Sequence, residues 1–415
     1  MKHAGTRVDV DQAAAGLKRS LSLPLLVLYG LGVTVGAGIY VLIGASAARA
    51  GVHAPVSFLI AAGVMALTAT SFAELTSRMP VSAGEAAYVR NGFRSETLSL
   101  IVGLLVVTVG TVSASAIAIG SAGYIKVFVS LPSPLVITLI VLAMGLVAAW
   151  GIMESVTFAG VMTGIEIVGL LIIVGAGVLD EPWIAYRAVA EVLPSLADGP
   201  AWSGILAAGL LAFFAFVGFE DLVNVAEEAR DPLRNMPRAI FLTLILATAL
   251  YFCVVTVAVL SVPIDELAAS EAPLSFVFER LTGASPVLIA GIAIIATLNG
   301  IIIQMIMASR VIYGLAAQGT LPSSLAAINP QTRTPLRATL LVVTAILALA
   351  LIFPITGLAE TTSRITLVIF ALVNVALIRI KMRGETPTEK IFLAPFWVPY
   401  AGCGTCVLFL ASSFL

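Results

Sequence analysis

From about 21 to 47 the chain is apolar almost throughout, and ten further stretches of comparable character follow it, near 53–77, 97–125, 134–151, 155–179, 202–225, 238–262, 286–316, 335–353, 364–380 and 395–415. About 20 apolar residues in helical conformation cross the hydrocarbon core of a bilayer. Water cannot satisfy backbone N–H and C=O groups there, so only helices and closed barrels span it. These stretches are continuously apolar, whereas barrel strands would alternate. Eleven spans in an all-α polytopic membrane protein are therefore expected. Composition agrees: 60% of the 415 residues are hydrophobic and 11% charged, against about 25% charged in a soluble domain.

Several function classes fall away. A net charge of −1 provides no basic face for nucleic acid. Three cysteines imply no disulfide framework. The C-x-x-C of Cys403 and Cys406 lies in a small-residue run entering an apolar span, which reads as packing rather than redox or metal chemistry. The two histidines are His3, in the polar tail, and His53, at a span edge. No catalytic constellation, metal site or cofactor motif is visible, so no enzyme is expected. The polar Met1 to Lys18 segment and the length of the first span speak against a cleavable signal peptide.

Basic residues orient the spans. With the N-terminus cytoplasmic, seventeen of the twenty-two fall inside: Lys2, Arg7, Lys18, Arg19, Arg78, Arg90, Arg94, Arg230, Arg234, Arg238, Arg310, Arg333, Arg337, Arg379, Lys381, Arg383 and Lys390. Arg49, Lys126, Arg187, Arg280 and Arg364 fall outside or at the outer edge. The two long outer loops carry Asp180, Glu181, Glu191 and Asp198, and Asp265, Glu266, Glu271 and Glu279. Eleven spans place the C-terminus outside. A cell-membrane location is expected.

Two stretches have weak points. Gly36-Ala37-Gly38 interrupts the first, and Gly218, followed by Glu220 and Asp221, interrupts the one near 203–225. Glycine is disfavoured inside a helix. Interrupted spans in corresponding places of two halves point to a transport site. A broken helix exposes N–H and C=O groups suited to the carboxylate and ammonium of an amino acid. The N–H groups of Ala37, Gly38 and Ile39 suit the carboxylate. Glycines at 36 and 38 allow close approach, and carbonyls near Thr34, Phe214 and Val217 would be free for the ammonium. The plainer alternative is that the glycines only permit tight helix packing.

These motifs resemble those of the amino acid–polyamine–organocation permeases. Gly36-Ala37-Gly38-Ile39-Tyr40 is similar to that family's G-[SA]-G-I-[FY] signature in helix 1. Phe213 to Glu220 resembles its sixth helix, and Ala226-Glu227-Glu228-Ala229-Arg230-Asp231-Pro232 its A-E-E-x-[KR]-x-P loop, which Arg234 to Ile240 completes. Phe72 to Pro80 resembles the end of helix 2. Ala308-Ser309-Arg310 and Gly319-Thr320-Leu321-Pro322 resemble the end of helix 8 and its loop. The match covers roughly residues 20 to 380.

The resemblance implies a leucine-transporter-like fold: five helices and five more in inverted topology, about 21–179 and 202–380, within one permease domain, 1–415, with a peripheral helix near 395–415. Members usually have twelve helices, where this chain shows eleven. It also implies that Thr34, Gly36, Ala37, Gly38, Ile39, Phe214, Phe216, Val217 and Gly218 hold the substrate, Phe214 and Phe216 being the aromatics against it. Several members carry a lysine in helix 5 that stands in for a sodium ion. Aligning Gly151-Ile152-Met153-Glu154-Ser155 with the family's G-x-x-E-S puts Glu166 there instead. A carboxylate at that place could bind sodium, carry a proton or pair with a base.

An ionisable group at membrane depth is a functional candidate by default. Glu166 is read as coupling, with a structural hydrogen bond as the alternative. Glu220, by resemblance, works in gating or proton sensing; otherwise it is a helix-end charge paired with an arginine. Asp221, Glu74 and Glu154 are read as partners of loop arginines such as Arg78. Glu360 and Arg364, at the outer start of helix 10, are read as an i,i+4 pair, with an outer gate as the alternative.

The expectation is a secondary transporter of amino acids, proton-coupled or exchanging, with a proton or sodium as partner ion. The phenylalanine-rich pocket favours a neutral amino acid. A polyamine or cationic amino acid permease is the nearest rival. A channel, or a membrane sensor that binds an amino acid without transport, is the alternative of another class.

Overall fold

The computed structural model describes residues 21–80, 84–150, 156–384 and 391–414, with backbone alone at 156–159. Glu154 and the 151–155 run, His3, Lys2, Arg7, Lys18, Arg19 and Lys390 lie outside the described residues. The regular structure among the described residues is helical, with an isolated bridge between Leu21 and Ala229. The first apolar stretch is divided into α1 (Leu23–Thr34) and α2 (Ala37–Ala50). Then follow α3 (Ala54–Arg78), α4 (Gly84–Phe93), α5 (Glu96–Ile125), α6 (Ser133–Trp150), α7 (Val156–Asp180) and the single turn α8 (Ile184–Arg187). The second broken stretch is α9 (Gly199–Phe216) and a 3-10 segment, Phe219–Glu228. The remainder is α10 (Pro232–Ser261), α11 (Ile264–Ala269), α12 (Pro273–Thr282), α13 (Val287–Ala317), α14 (Leu336–Ile352), α15 (Ile355–Met382) and α16 (Val398–Ser412).

Every one of the apolar stretches is therefore helical, and the boundaries differ in instructive places. The helix expected at 364–380 begins at Ile355. Its polar start, with Thr362, Ser363 and Thr366, is buried in protein, so an apolarity criterion built on contact with lipid misses it. The acidic loop after α10 folds into α11 and α12, short amphipathic helices that pack on other helices rather than cross the membrane. A Cβ at Gly44 of α2 would meet the Leu267 carbonyl of α11 at 2.6 Å. By contrast, Leu139, Leu142, Leu146 and Trp150 of α6 are exposed, as suits a lipid-facing helix.

Small residues let the inner helices approach. A Cβ at Gly30 would fall 2.5 Å from Thr243 Oγ1 of α10, and one at Gly32 would fall 2.0 Å from Thr163 Oγ1 of α7. At the other side of the bundle, α16 is pinned by polar contacts. Asn374 Nδ2 of α15 donates to Thr68 Oγ1 of α3 (2.9 Å), Ser71 Oγ donates to Asn374 Oδ1 (2.6 Å), and Cys406 Sγ lies 3.5 Å from Thr68 Oγ1. Cys406 is buried in this contact and both thiols of the C-x-x-C are free, the packing role read from the sequence.

The two ends of the bundle are tied differently. At the end bearing Arg78, the fully buried Glu74 carboxylate takes Arg78 (2.8 Å) and Lys381 (2.7 Å) and accepts the Ala394 N–H (2.8 Å). Arg379 and Arg383 donate to the Gly92 carbonyl (3.2 and 2.8 Å), and a Cβ at Gly92 would lie 2.5 Å from Ala376 Cα. Together these fix α4 against α15. At the opposite end, four of the five minority basic residues are neutralised: Arg49 by Glu360, Arg364 by Glu360 (3.1 Å), Lys126 by Glu271 (2.6 Å), and Arg187 by Glu181 (2.7 Å) and Glu191 (2.8 Å). Glu360 thus joins Arg364, its i,i+4 partner, to Arg49 of α2. Arg49 also donates to the Ala207 carbonyl of α9 (2.8 Å). His53 Nδ1 closes on the Val192 carbonyl at 2.8 Å.

The Glu74 cluster sets a stability prediction. Removing one member of a buried ion pair leaves the other charges uncompensated, at a cost of about 3–5 kcal/mol. Glu74→Ala should therefore lower the thermal midpoint of the purified protein markedly, by fluorescence-monitored melting. Glu96→Ala, which removes an exposed partner of Arg90, should leave the midpoint near that of the wild type. Equal midpoints for the two variants would refute the structural role assigned to Glu74.

Candidate functional site

The two interrupted stretches meet each other. α1 stops at Thr34 and α2 restarts at Ala37 with Gly36 as its N-cap and no side chain capping it. α9 stops at Phe216, and Gly218 takes a left-handed φ of 119° before the 3-10 segment. That φ suits glycine. A Cβ there would also lie 2.7 Å from the Val33 carbonyl, and a Cβ at Gly38 would lie 2.6 Å from Ala215 Cα. One break is thus packed against the other at two points. The close-packing role of glycine and its helix-breaking role are both present: Gly38 serves the first and Gly218 serves the two at once.

A cavity remains between them, lined by Gly32, Val33, Thr34, Gly36, Ala37 and Gly38, by Phe214, Ala215 and Val217, and by Ser113, Ile117, Gly300, Ile303 and Gln304. Its volume is about 30 Å³, room for roughly two waters and far short of an amino acid. The first N–H groups of α2 have no intrahelical acceptor, and Ala37 and Gly38, which carry two of them, line this space. Of the nine positions expected to hold substrate, Thr34, Gly36, Ala37, Gly38, Phe214 and Val217 line the cavity. Ile39, Phe216 and Gly218 are outside the lining. Phe216 instead packs on Tyr251 (ring centroids 4.9 Å) and Phe58 (6.5 Å). Phe213 and Phe219 pack on Phe370, and Phe219 also on Phe72. Most of the phenylalanine cluster is the mortar that holds α9 to its neighbours.

The carbonyls expected to be free are largely taken. The Tyr251 hydroxyl is shared between the Thr34 carbonyl (2.7 Å) and the Ala215 carbonyl (2.8 Å), and the Phe214 carbonyl accepts the Val217 N–H (3.1 Å). An unsatisfied carbonyl in a low-dielectric interior costs several kcal/mol, and a tyrosine from α10 removes that cost. Two side-chain acceptors are left at the cavity: Thr34 Oγ1, on a residue the sequence reading named, and one it passed over. Gln304 Oε1 of α13 is buried and, among the described residues, has no hydrogen-bond partner. The available signal was an amide in the middle of an apolar span, one of two there with Asn299.

Glu166 is fully buried on α7. Its backbone carbonyl accepts the Tyr40 hydroxyl (2.8 Å), and the Tyr40 carbonyl accepts the Tyr124 hydroxyl (2.6 Å). It lies behind α2 and outside the cavity lining. Asp221 and Glu220 differ from the arginine pairing considered for them. Both are buried and line a second cavity of about 20 Å³ with Glu85, Gln304, Thr366, Val106, Val109, Val217, Met307, Ile369 and Phe370. Glu220 Oε2 accepts the Gly218 N–H (2.9 Å) and Asp221 Oδ1 is 3.4 Å from Asn224 Nδ2. No Lys or Arg is in that lining among the described residues. Burial pushes the Glu85 carboxyl, on α4, up to about 7.

The helix crossing sets a second prediction. Gly38→Ala places a methyl against backbone, not against a side chain that can turn away, so α2 must move off α9. The expected cost is about 1–3 kcal/mol of stability, together with at least a roughly tenfold loss of amino acid affinity, read by thermal shift with and without ligand. Wild-type affinity in a folded Gly38→Ala protein would refute the assignment of this crossing to the site.

Comparison with known proteins supplies the family. Residues 21–415 match the family described as "Amino acid permease". The chain is 29% identical to the branched-chain amino acid permease BcaP of Bacillus subtilis (strain 168), over 93% of this chain and 86% of that protein. It is 27% identical to the methylthioribose transporter of the same organism, over 98% and 90%. It is 30% identical to the vacuolar cationic amino acid transporter 4 of Arabidopsis thaliana, over 87% of this chain but only 63% of that longer protein. With its apolar helices and its motifs, the chain belongs to the amino acid permease family, a family of multi-pass membrane transporters rather than enzymes.

Proposed function

We propose that the protein is a secondary transporter of amino acids that works by alternating access, with its N-terminus in the cytoplasm and its two five-helix halves in inverted topology. The observation that carries this reading is the direct contact of two helix breaks around a polar cavity: free N–H groups of α2 on one side and an unpartnered Gln304 acceptor on the other. That pair of chemistries suits a zwitterion. The cavity is smaller than an amino acid, so cargo enters only when the helices part, which is what alternating access requires. The relatives' names, a branched-chain amino acid permease and a cationic amino acid transporter among them, support the cargo class.

The basic residues support the orientation. Seventeen of the twenty-two Lys and Arg residues fall, by the span order read from the sequence, on the side bearing Arg78, the cytoplasmic side by the positive-inside rule, which counts basic residues rather than net charge. The location is the cell membrane. Transport is coupled to a proton or sodium, or proceeds by exchange, and Glu166 is the coupling group: its carboxylate is buried behind the broken first helix, on a residue whose backbone carbonyl accepts the Tyr40 hydroxyl of α2. Glu220, held on the Gly218 N–H at the second break, serves gating.

Uptake into proteoliposomes tests this. Labelled amino acid should accumulate or exchange in a saturable manner, and Glu166→Gln should change the dependence of uptake on pH or on sodium. Saturable binding with neither accumulation nor counterflow would replace the transporter by a sensor. An unchanged ion dependence in Glu166→Gln would return Glu166 to a structural role.

A further inference from the structure

The second cavity gathers three carboxylates from two elements that a rigid scaffold holds together. α4, clamped to α15 through the Gly92 carbonyl, brings Glu85, and the 3-10 segment brings Glu220 and Asp221. Burying a carboxylate without a counter-charge is costly, yet no ion pair reaches any of the three among the described residues. Two more polar groups open on the same space. Gln304 Oε1 and Thr366 Oγ1 are each more than nine-tenths buried and have no hydrogen-bond partner among the described residues. The wall therefore offers carboxylate, amide and hydroxyl oxygens as acceptors, its neutral donors are the Gln304 amide and the Thr366 hydroxyl, and no base lines it among the described residues. Such a wall complements a group that is all donor: an ammonium with three N–H bonds, or a guanidinium with five.

Position narrows the ligand. The acidic cavity and the cavity at the helix breaks share two lining residues, Val217 and Gln304. A molecule with its α-carboxylate and α-ammonium at the breaks has its side chain one residue's thickness from the carboxylates. We propose that the cavity of Glu85, Glu220, Asp221, Gln304 and Thr366 is a subsite for the cationic end of the cargo's side chain, so that the cargo is an amino acid bearing an ammonium or guanidinium on a flexible stem. This rests on the amino acid reading of the break cavity and adds to it a substrate class. Like charges packed together disfavour full ionisation, and Glu85 is held near neutral pH by burial. A cation entering the subsite therefore displaces a proton to solvent and takes its place.

Three probes separate the parts of this assignment: L-lysine, L-norleucine, which keeps the chain but lacks the terminal ammonium, and 1,5-diaminopentane, which lacks the carboxylate. Their affinities are measured by calorimetry on purified wild-type protein and on Glu85→Gln and Asp221→Asn, each variant first shown to be folded by its melting curve. Lysine should bind roughly 10- to 100-fold more tightly than norleucine, and each variant should cut that preference by about tenfold. Norleucine binding as tightly as lysine would overturn the subsite and leave the amino acid reading intact. A lysine preference that both variants retain would overturn it too, since the cation would then be held elsewhere. Binding of the diamine but of neither amino acid, lost in the variants, would support the subsite and overturn the amino acid reading. Binding of none of the three would overturn both.

Discussion

The structure depends on one close crossing, where the break in the first helix lies against the break in the ninth. At Gly38 and at Gly218 the partner is backbone: Ala215 Cα and the Val33 carbonyl. Two main chains this close cannot be separated by side chains, so the geometry of each break fixes the other. A broken helix in a membrane is otherwise a liability, because its free polar groups have no water. Here the liability is confined. Tyr251 takes the carbonyls of Thr34 and Ala215 with one hydroxyl, Val217 takes that of Phe214, and the first turn of α2 is left without a capping side chain. A selected few polar groups remain unpartnered at the crossing, and that selection defines the candidate site.

Around this crossing the bundle is held by two kinds of contact. Small residues set the helix distances, as at Gly30 against Thr243 and Gly92 against Ala376. Buried polar clusters fix which helices are neighbours. Glu74 binds α3 to α15 through Lys381 and to the segment before α16 through Ala394, and Asn374 binds α15 to α3. Hydrocarbon alone gives no such preference, since one apolar helix face packs on another as well as on lipid. At the opposite end, the Arg49, Glu360 and Arg364 group joins α2 to α15. That joint links the half-helix that forms the cavity to a helix of the surrounding scaffold.

The acidic cavity shows how burial changes the meaning of a residue. In the sequence Glu220 and Asp221 stand near the end of an apolar run, where a carboxylate ordinarily finds a basic partner. In the fold the left-handed turn at Gly218 carries them inward, to face Glu85 from a helix that the chain reaches more than a hundred residues earlier. Three residues that would be unremarkable separately become a buried cluster of carboxyl groups around one cavity.

What the sequence by itself determined follows from the bilayer. Length and apolarity fixed the helices, glycine and the flanking motifs located both breaks, and the family followed from those motifs. Glu74 with Arg78, and Glu360 with Arg364, were legible because i,i+4 partners on a helix share a face whatever surrounds them. Tertiary structure alone decided the rest. It put Phe214 at the cavity and Phe216 in the core, although they are two residues apart, because a helix turns about 100° per residue and only packing says which side faces in. It gave the break carbonyls to Tyr251, brought Gln304 to the cavity, and set Glu85 against Asp221. Each of these is a meeting of residues distant in the chain, and local pattern carries no record of such meetings.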